Sequence, residues 1–412
     1  MEDLLINNIA TVATAKGKSV QSGPMQGNIK IYENVVIAVK DGKITYIGAK
    51  QNAPKASKEI DATGKLVTAG LVDAHTHLVF GGYRQHELER KLNGDSYLDI
   101  LRSGGGILST VRSTREASFE ELFTKSYSFL DKMLAHGTTT IEAKSGYGLD
   151  IETELKQLNV VNRLNEDHKV DLVSTFMGAH AIPWEYKDKP ESFVEYIINE
   201  MIPYIAKARL ASYCDIFCET AVFDVYQSRR ILNAAKQNGF KIKIHADEID
   251  PIGGANLAGE LQCISAEHLI AAPDDGLNSL ANNGVIAVLL PATSHYLNKG
   301  YARAKDMIKK NIPVAIASDF NPGSSPNFNL QVAMTLACLK YKLTPKEALM
   351  GVTLNAACAI ELEATKGTLE VGKDADIIIW DCPDLNFLFY RFGNNQVYKV
   401  IKNGKEITQE AS

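Results

Sequence analysis

Apolar, β-rich runs recur through the middle of the chain at 66–77, 138–144, 171–180, 212–220, 240–247, 261–268, 284–291 and 312–319. A short apolar run bounded by polar segments is the pattern of a buried strand. Helically spaced stretches lie between most of these runs, among them 118–135 and 191–208. The second places Phe193, Ile197, Ile198, Met201 and Ile205 on one face. Eight strands joined mainly by helices predict a (β/α)8 barrel of the TIM type. A doubly wound open sheet is the competing arrangement. The two ends read differently. Residues 3–9 alternate, 34–39 are β-rich, Asp41-Gly42-Lys43 is a hairpin turn before 44–48, and Asp61-Ala62-Thr63-Gly64 leads into the first long run. The far end repeats that style at 367–381 and 397–401, with a turn at Asn403-Gly404-Lys405. The expected organisation is one small β-sandwich domain assembled from 1–65 and 360–412, around a catalytic barrel at 66–359.

Composition narrows the class. A net charge of −5 with no long basic run gives no support to nucleic-acid binding. No apolar run approaches the ~18 residues of a membrane span, and the first residues lack the pattern of a signal peptide. The six cysteines are scattered and read as reduced, buried thiols. These features predict a cytoplasmic protein with no membrane or nucleic-acid partner.

Barrel enzymes carry their chemistry at the C-terminal ends of the strands. The first strand ends at His75 and His77, whose i, i+2 spacing places both rings on one face. The second ends at Glu142-Ala143-Lys144-Ser145-Gly146-Tyr147, the third at His180, the fourth at Cys218-Glu219-Thr220 and the fifth at His245-Ala246-Asp247-Glu248. The sixth ends at Glu267-His268 and the eighth at Asp319, whereas the seventh offers nothing titratable before His295. Six of the nine histidines fall at such ends, and His86, His136 and His168 read as structural or surface groups. Any one of these residues has a bland reading. A lone strand-end histidine is more often a hydrogen-bonded structural group, Asp319 could shape the turn after it, and Glu267 could pair with a neighbouring cation. Together, His75, His77, His245 and Asp319 make an N3O set suited to Zn2+ or Fe2+.

The motifs DAHTHLVFGGYRQHEL, SGGGILSTVRSTR, TTTIEAKSGYGL, TFMGAHAIP, IHADEI, SAEHL and SDFNPGSSP span nearly the whole chain. In them the sequence resembles the metal-dependent amidohydrolase superfamily and, within it, the imidazolonepropionase family. The resemblance implies hydrolysis of the cyclic amide C–N bond of 4-imidazolone-5-propanoate to N-formimidoyl-L-glutamate, in histidine degradation. It implies one Zn2+ or Fe2+/Fe3+ per subunit on His75, His77, His245 and Asp319. Water acidified there would attack the ring carbonyl, with Asp319 as a secondary proton acceptor. Glu248 would move a proton to or from the ring, and His268 would bond the attacking water or the carbonyl oxygen. Arg84 would meet the propanoate tail, with Tyr147, His180 and Tyr97 at the substrate. The Asn321-Pro322-Gly323-Ser324 turn would hold the glutamate end of the product through its amide and backbone N–H groups. Gly104-Gly105-Gly106 would form a loop over the mouth. Two-metal relatives bridged by a carbamylated lysine carry it at the end of strand 4, where this chain has Glu219, so a single metal is expected and a glutamate bridge is the remaining route to two. A homodimer is the expected assembly. A cytosine- or guanine-type deaminase would use the same donor set, but a neutral base needs no carboxylate clamp. A non-catalytic scaffold would be expected to have lost its ligands.

Overall fold

The computed structural model describes residues 1–94, 100 and 105–407. Seven strands come first: β1 (Glu2–Asn7), β2 (Thr11–Thr14), β3 (Lys30–Glu33), β4 (Val35–Lys40), β5 (Lys43–Ala49), β6 (Ala56–Asp61) and β7 (Leu66–Ala69). Eight parallel strands follow: β8 (Leu71–Thr76), β9 (Thr138–Lys144), β10 (Asp171–Ala179), β11 (Tyr213–Cys218), β12 (Lys241–Ala246), β13 (Ser265–His268), β14 (Ile286–Leu289) and β15 (Val314–Ile316). The last three are β16 (Ile377–Trp380), β17 (Val397–Lys402) and β18 (Lys405–Ile407).

Strands β8 to β15 neighbour one another in chain order, and the two end strands meet. The His77 N–H donates to the Phe320 carbonyl at 2.8 Å and the Asp319 N–H to that of His75 at 3.1 Å. Beside them the Asp73 carboxylate accepts the Ser318 N–H at 3.0 Å. The sheet therefore closes into the expected (β/α)8 barrel, and the open sheet is excluded. Closure itself brings the strand-8 aspartate against the strand-1 histidines.

The helix Phe119–Ala135 begins at Ser118, whose hydroxyl accepts the Glu121 N–H while the Glu121 carboxylate accepts that of Ser118. The helical pattern over 191–208 is not one regular helix. A π turn at Ile197–Met201 separates Pro190–Tyr196 from Ile202–Ala208. Pro203 follows it, and a proline supplies no N–H to continue the α ladder.

The run 66–77 is also two strands rather than one. Leu66–Ala69 pairs with β16 and β2, and only Leu71–Thr76 enters the barrel. Gly70 makes the crossing, where a Cβ would sit 2.2 Å from the Thr139 hydroxyl. Outside the barrel, a four-stranded sheet (β5-β4-β1-β6) faces a six-stranded one (β18-β17-β16-β7-β2-β3). Ile6, Ile37 and Val39 from the first share one apolar core with Val12, Val67, Ile377 and Ile401 from the second.

A buried ion cluster ties this sandwich to the barrel. Asp376 accepts Lys366 Nζ and Lys402 Nζ, each at 2.7 Å, and both ammonium groups also reach Asp171 at the start of β10 at 2.5 Å. Removing one partner of such a group leaves uncompensated buried charge, which costs about 3–5 kcal/mol. Asp376→Ala should lower the unfolding free energy by roughly that much. A urea midpoint equal to that of the parent chain would show that the cluster holds nothing together.

Candidate metal centre and substrate pocket

The inner face of the barrel is unusually polar. Alternation along the strands points Glu142 and Lys144 of β9, Asp215 of β11, Lys243 and His245 of β12, and Glu267 of β13 inward, all buried. Lys144 Nζ lies 2.7 Å from Asp215 and 3.0 Å from Glu142, and Lys243 Nζ lies 3.0 Å from Glu142. The two carboxylates hold the Lys144 ammonium well above the ordinary lysine range, against the effect of its burial. Lys144 in turn holds Asp215 well below the carboxylate range, again against burial.

The histidines stand on this layer. His75 Nδ1 donates to Glu267, whose other oxygen accepts the Ser265 hydroxyl at 2.6 Å. His75 Nε2 is left facing Asp319 Oδ1 at 3.4 Å, and His77 Nε2 is 3.7 Å from the same oxygen. His245 Nδ1 lies 3.2 Å from Asp215. Burial keeps His75 and His77 neutral, with the Lys144 charge adding for His75 and the neighbouring His180 for His77. Ligand nitrogens of His75, His77 and His245 lie within 4.8 Å of one another. Four of the ring nitrogens there, His75 Nε2, His77 Nδ1 and both of His245, are buried without a hydrogen-bond partner. Buried polar atoms of this kind are rare unless something satisfies them. Neutral imidazoles with unpaired nitrogens fit a borderline divalent cation.

Above these groups lies a cavity of about 650 Å³, to which His77, His245, His268, Glu248 and Asp319 all contribute. The Thr293 hydroxyl donates to Asp319 Oδ2 at 2.5 Å. His268, kept neutral by burial, has its Nε2 3.6 Å from Glu248 Oε2. Burial, with the Glu219 charge adding, pushes the Glu248 carboxyl up to about 7. His180 stacks on His77 with ring centroids 4.8 Å apart, and Tyr147 packs on both rings. His180 Nδ1 donates to the Gly146 carbonyl at 3.0 Å, and burial takes its pKa down to about 3. Arg84 reaches in from the other side, over Gly323. A Cβ on that glycine would lie 1.4 Å from Arg84 Nη2. The guanidinium Nε is buried and has no hydrogen-bond partner.

Several sequence expectations change here. The Asn321 Oδ1 accepts the N–H groups of Gly323 and Ser324 at 2.9 and 2.8 Å, and its Nδ2 donates to the Asp319 carbonyl at 2.7 Å. Asn321, Gly323 and Ser324, expected to hold the product, line the cavity, where these groups also brace their own turn, which forms the floor under Arg84. Glu219 takes the Ile249 and Asp250 N–H groups at 2.8 and 3.2 Å and does not face the histidines, so the glutamate bridge falls away. His295 lies exposed in the helix Pro291–Tyr296, away from the chemistry. Tyr97 and Gly104 lie outside the described residues. The sequence reading passed over Asp215 and Lys243 and gave Glu142 and Lys144 no role. The available signal was the i, i+2 spacing of Glu142 with Lys144 and of Lys243 with His245.

The chain matches the model of the amidohydrolase family over residues 66–407. It is 49% identical to the imidazolonepropionase of Alkaliphilus metalliredigens, covering 100% of this chain and 99% of the relative. It is 53% identical to that of Treponema denticola over 91% of this chain and 92% of the relative. In fold it is similar to a 5-methylcytosine deaminase from Klebsiella pneumoniae (TM-score 0.75, 18% identity, 99% and 98% covered). A zinc-bound adenosine deaminase from Xanthomonas campestris is also similar (TM-score 0.71, 19% identity, 98% and 92% covered).

Losing one imidazole from a three-histidine cluster should empty it. His245→Ala should purify with far less metal per chain than the parent protein, measured by elemental analysis after dialysis. A full metal complement in that variant would remove His245 from the donor set.

Proposed function

Since the chain belongs to the amidohydrolase family, we propose that this cavity serves ring opening of 4-imidazolone-5-propanoate, the chemistry of the imidazolonepropionases it is similar to over its whole length. The protein is a metal-dependent hydrolase that cleaves the C–N bond of that cyclic amide, in histidine degradation, to give N-formimidoyl-L-glutamate. His75, His77, His245 and Asp319 would hold one Zn2+ or Fe2+, which when bound acidifies water and polarises a carbonyl. The chain's own groups do the rest. Asp319, flanked by the Thr293 hydroxyl, accepts the proton of the attacking water. The single N–H of neutral His268 bonds the carbonyl oxygen as it gains charge. Glu248, ionised at the start, receives the water's proton from Asp319 and delivers it to the ring nitrogen that leaves, so that water adds as OH to carbon and H to nitrogen. The His180 tautomer, with Nδ1 donating to Gly146, presents its Nε2 lone pair as an acceptor for a ring N–H, and Tyr147 backs that ring.

One observation carries the choice of substrate. His180 and His268 are neutral, so neither clamps an anion. Among the described residues lining the cavity the formal cations are Arg84 and Lys299, and Lys299 is exposed at the rim. Arg84 offers a planar fork with a buried, unpartnered Nε, the geometry that meets a carboxylate in two bonds. We further propose that the protein works as a cytoplasmic homodimer.

The direct test is to follow the imidazolone absorbance with purified protein and to measure metal on the same sample. Turnover that a chelator abolishes supports the proposal, and a loaded site that instead releases ammonia from nucleobases overturns it. Arg84→Ala should raise KM on the order of 100-fold while metal content stays at the parent value. Gly323→Ala should do the same through the guanidinium it displaces, and an unchanged KM in both would end the carboxylate assignment. A carboxyl with its pKa near 7 is protonated below that pH and ionised above it. Because Glu248 starts ionised to receive the proton it passes on, kcat/KM falls as pH drops through about 7. Glu248→Gln should lose that limb along with most of its rate.

A further inference from the structure

We propose that Glu219, at the end of β11, is a positioning residue for Glu248: its carboxylate holds the two peptide N–H groups that follow Glu248 and so aims that side chain at the reacting ring. The inference rests on the reading of Glu248 as the group that moves the proton.

Glu248 has little else to direct it. Its carboxylate oxygen is 3.6 Å from His268 Nε2, beyond hydrogen-bond length, so its direction is set by its backbone. That backbone is pinned at both ends by carboxylates. Asp247, in the left-handed region at φ +50°, turns the chain out of β12, and its side chain accepts the N–H groups of Gly253, Gly254 and Ala255 at 3.0–3.2 Å. On the other side Glu219 Oε2 takes the Ile249 N–H at 2.8 Å, and Oε1 takes that of Asp250 at 3.2 Å and that of Thr220 at 2.8 Å. Glu219 is itself 1% exposed, and its backbone is fixed by bonds to the Phe223 carbonyl and from the Val222 N–H. A rigid anchor on one strand end thus fixes the turn that carries a functional group of the next. A solvated loop charge would give neither this burial nor these two successive amides.

The same carboxylate acts through its charge. The charged and titratable groups facing Glu248 are Glu219 from the end of β11, His268 from the end of β13, Lys299 after the helix Pro291–Tyr296, and Asp319 after β15. Glu219 and Asp319 are the negative ones, and both favour the protonated form of Glu248. Glu219 therefore fixes where the carboxyl sits and, after burial, adds to the upward push on the pH at which it ionises.

Two substitutions separate these effects. Glu219→Gln keeps the length and removes the charge. Its acid limb in kcat/KM should move about one pH unit lower. Glu219→Asp keeps the charge and shortens the reach. Its limb should stay in place while kcat falls about tenfold, the loss expected when a proton-transfer group is mis-aimed. KM and metal content should match the parent protein in both. In a Glu248→Gln background each substitution should have little further effect, because the residue it acts through is gone. Losses that simply add in that background would overturn the proposal. So would parental kcat and limb position in both single variants, or loss of metal and a large fall in Tm in both, which would mark Glu219 as a support of the fold alone. A parental rate in Glu248→Gln itself would instead remove the reading of Glu248, and this inference with it.

Discussion

Everything at this site stands on the Lys144 ammonium at the centre of the barrel. Side chains of Glu142, Lys144, Asp215, Lys243 and Glu267 are fully buried, and isolated charges there would each carry a desolvation penalty of several kcal/mol. The arrangement is tolerable because four of these charges meet their opposites and the fifth, Glu267, is hydrogen-bonded by His75 and Ser265. Lys144 sits between Asp215 and Glu142, and Lys243 also meets Glu142. Glu267 and Asp215 then each have a side left for a histidine. A carboxylate that accepts from one imidazole nitrogen fixes the tautomer and turns the other nitrogen outward. His75 shows this directly, with Nδ1 on Glu267 and Nε2 toward Asp319. Lys144, which at another strand end could have been taken for a carbamate carrier, is here a counter-ion committed to the layer beneath the histidines.

The polar floor separates two tasks along the barrel axis. Asp171 at the start of β10 is gripped by Lys366 and Lys402, which carries the terminal sandwich at the opposite end of that strand from His180. The strand ends that bear His75, His180, His245 and Asp319 are left clear of the sandwich. Stability is built at one end and chemistry at the other, the division expected of this fold.

Much of this was legible in the residues, for definable reasons. The eight strands were visible because their runs are short, apolar and bounded. The four candidate ligands were visible because a barrel converts the ends of strands into neighbours. What escaped was contact that crosses strands without leaving a local pattern. Asp215 and Lys243 looked like polar interruptions of apolar runs, and only the closed barrel shows that they answer one another. The split at Gly70 was hidden because both halves of 66–77 are apolar, although each packs into a different sheet. Asn321 was read only as a recognition group, and although it lines the cavity its side chain also braces its own turn, as Asn before Pro-Gly commonly does. Glu219 was weighed only as a metal bridge, and its real partners are two peptide groups on another loop.

The charges of the cavity also bear on how a turnover ends. The substrate brings one carboxylate, which Arg84 can meet on its platform over Gly323. Ring opening converts the amide carbonyl into a second carboxylate, made beside Asp319 and within reach of Glu248 and its neighbour Glu219. Like charges a few ångströms apart in a partly desolvated site repel. Net charge does not change, because the amidine freed by ring opening keeps the proton, but the charges are now spread over both ends of an open chain. Arg84 keeps its contact with the propanoate end, while Glu248 and Glu219 oppose the new carboxylate. The neutral His180 and His268 add no further anion clamp at that end, so the two carboxylates of the product are held by different groups.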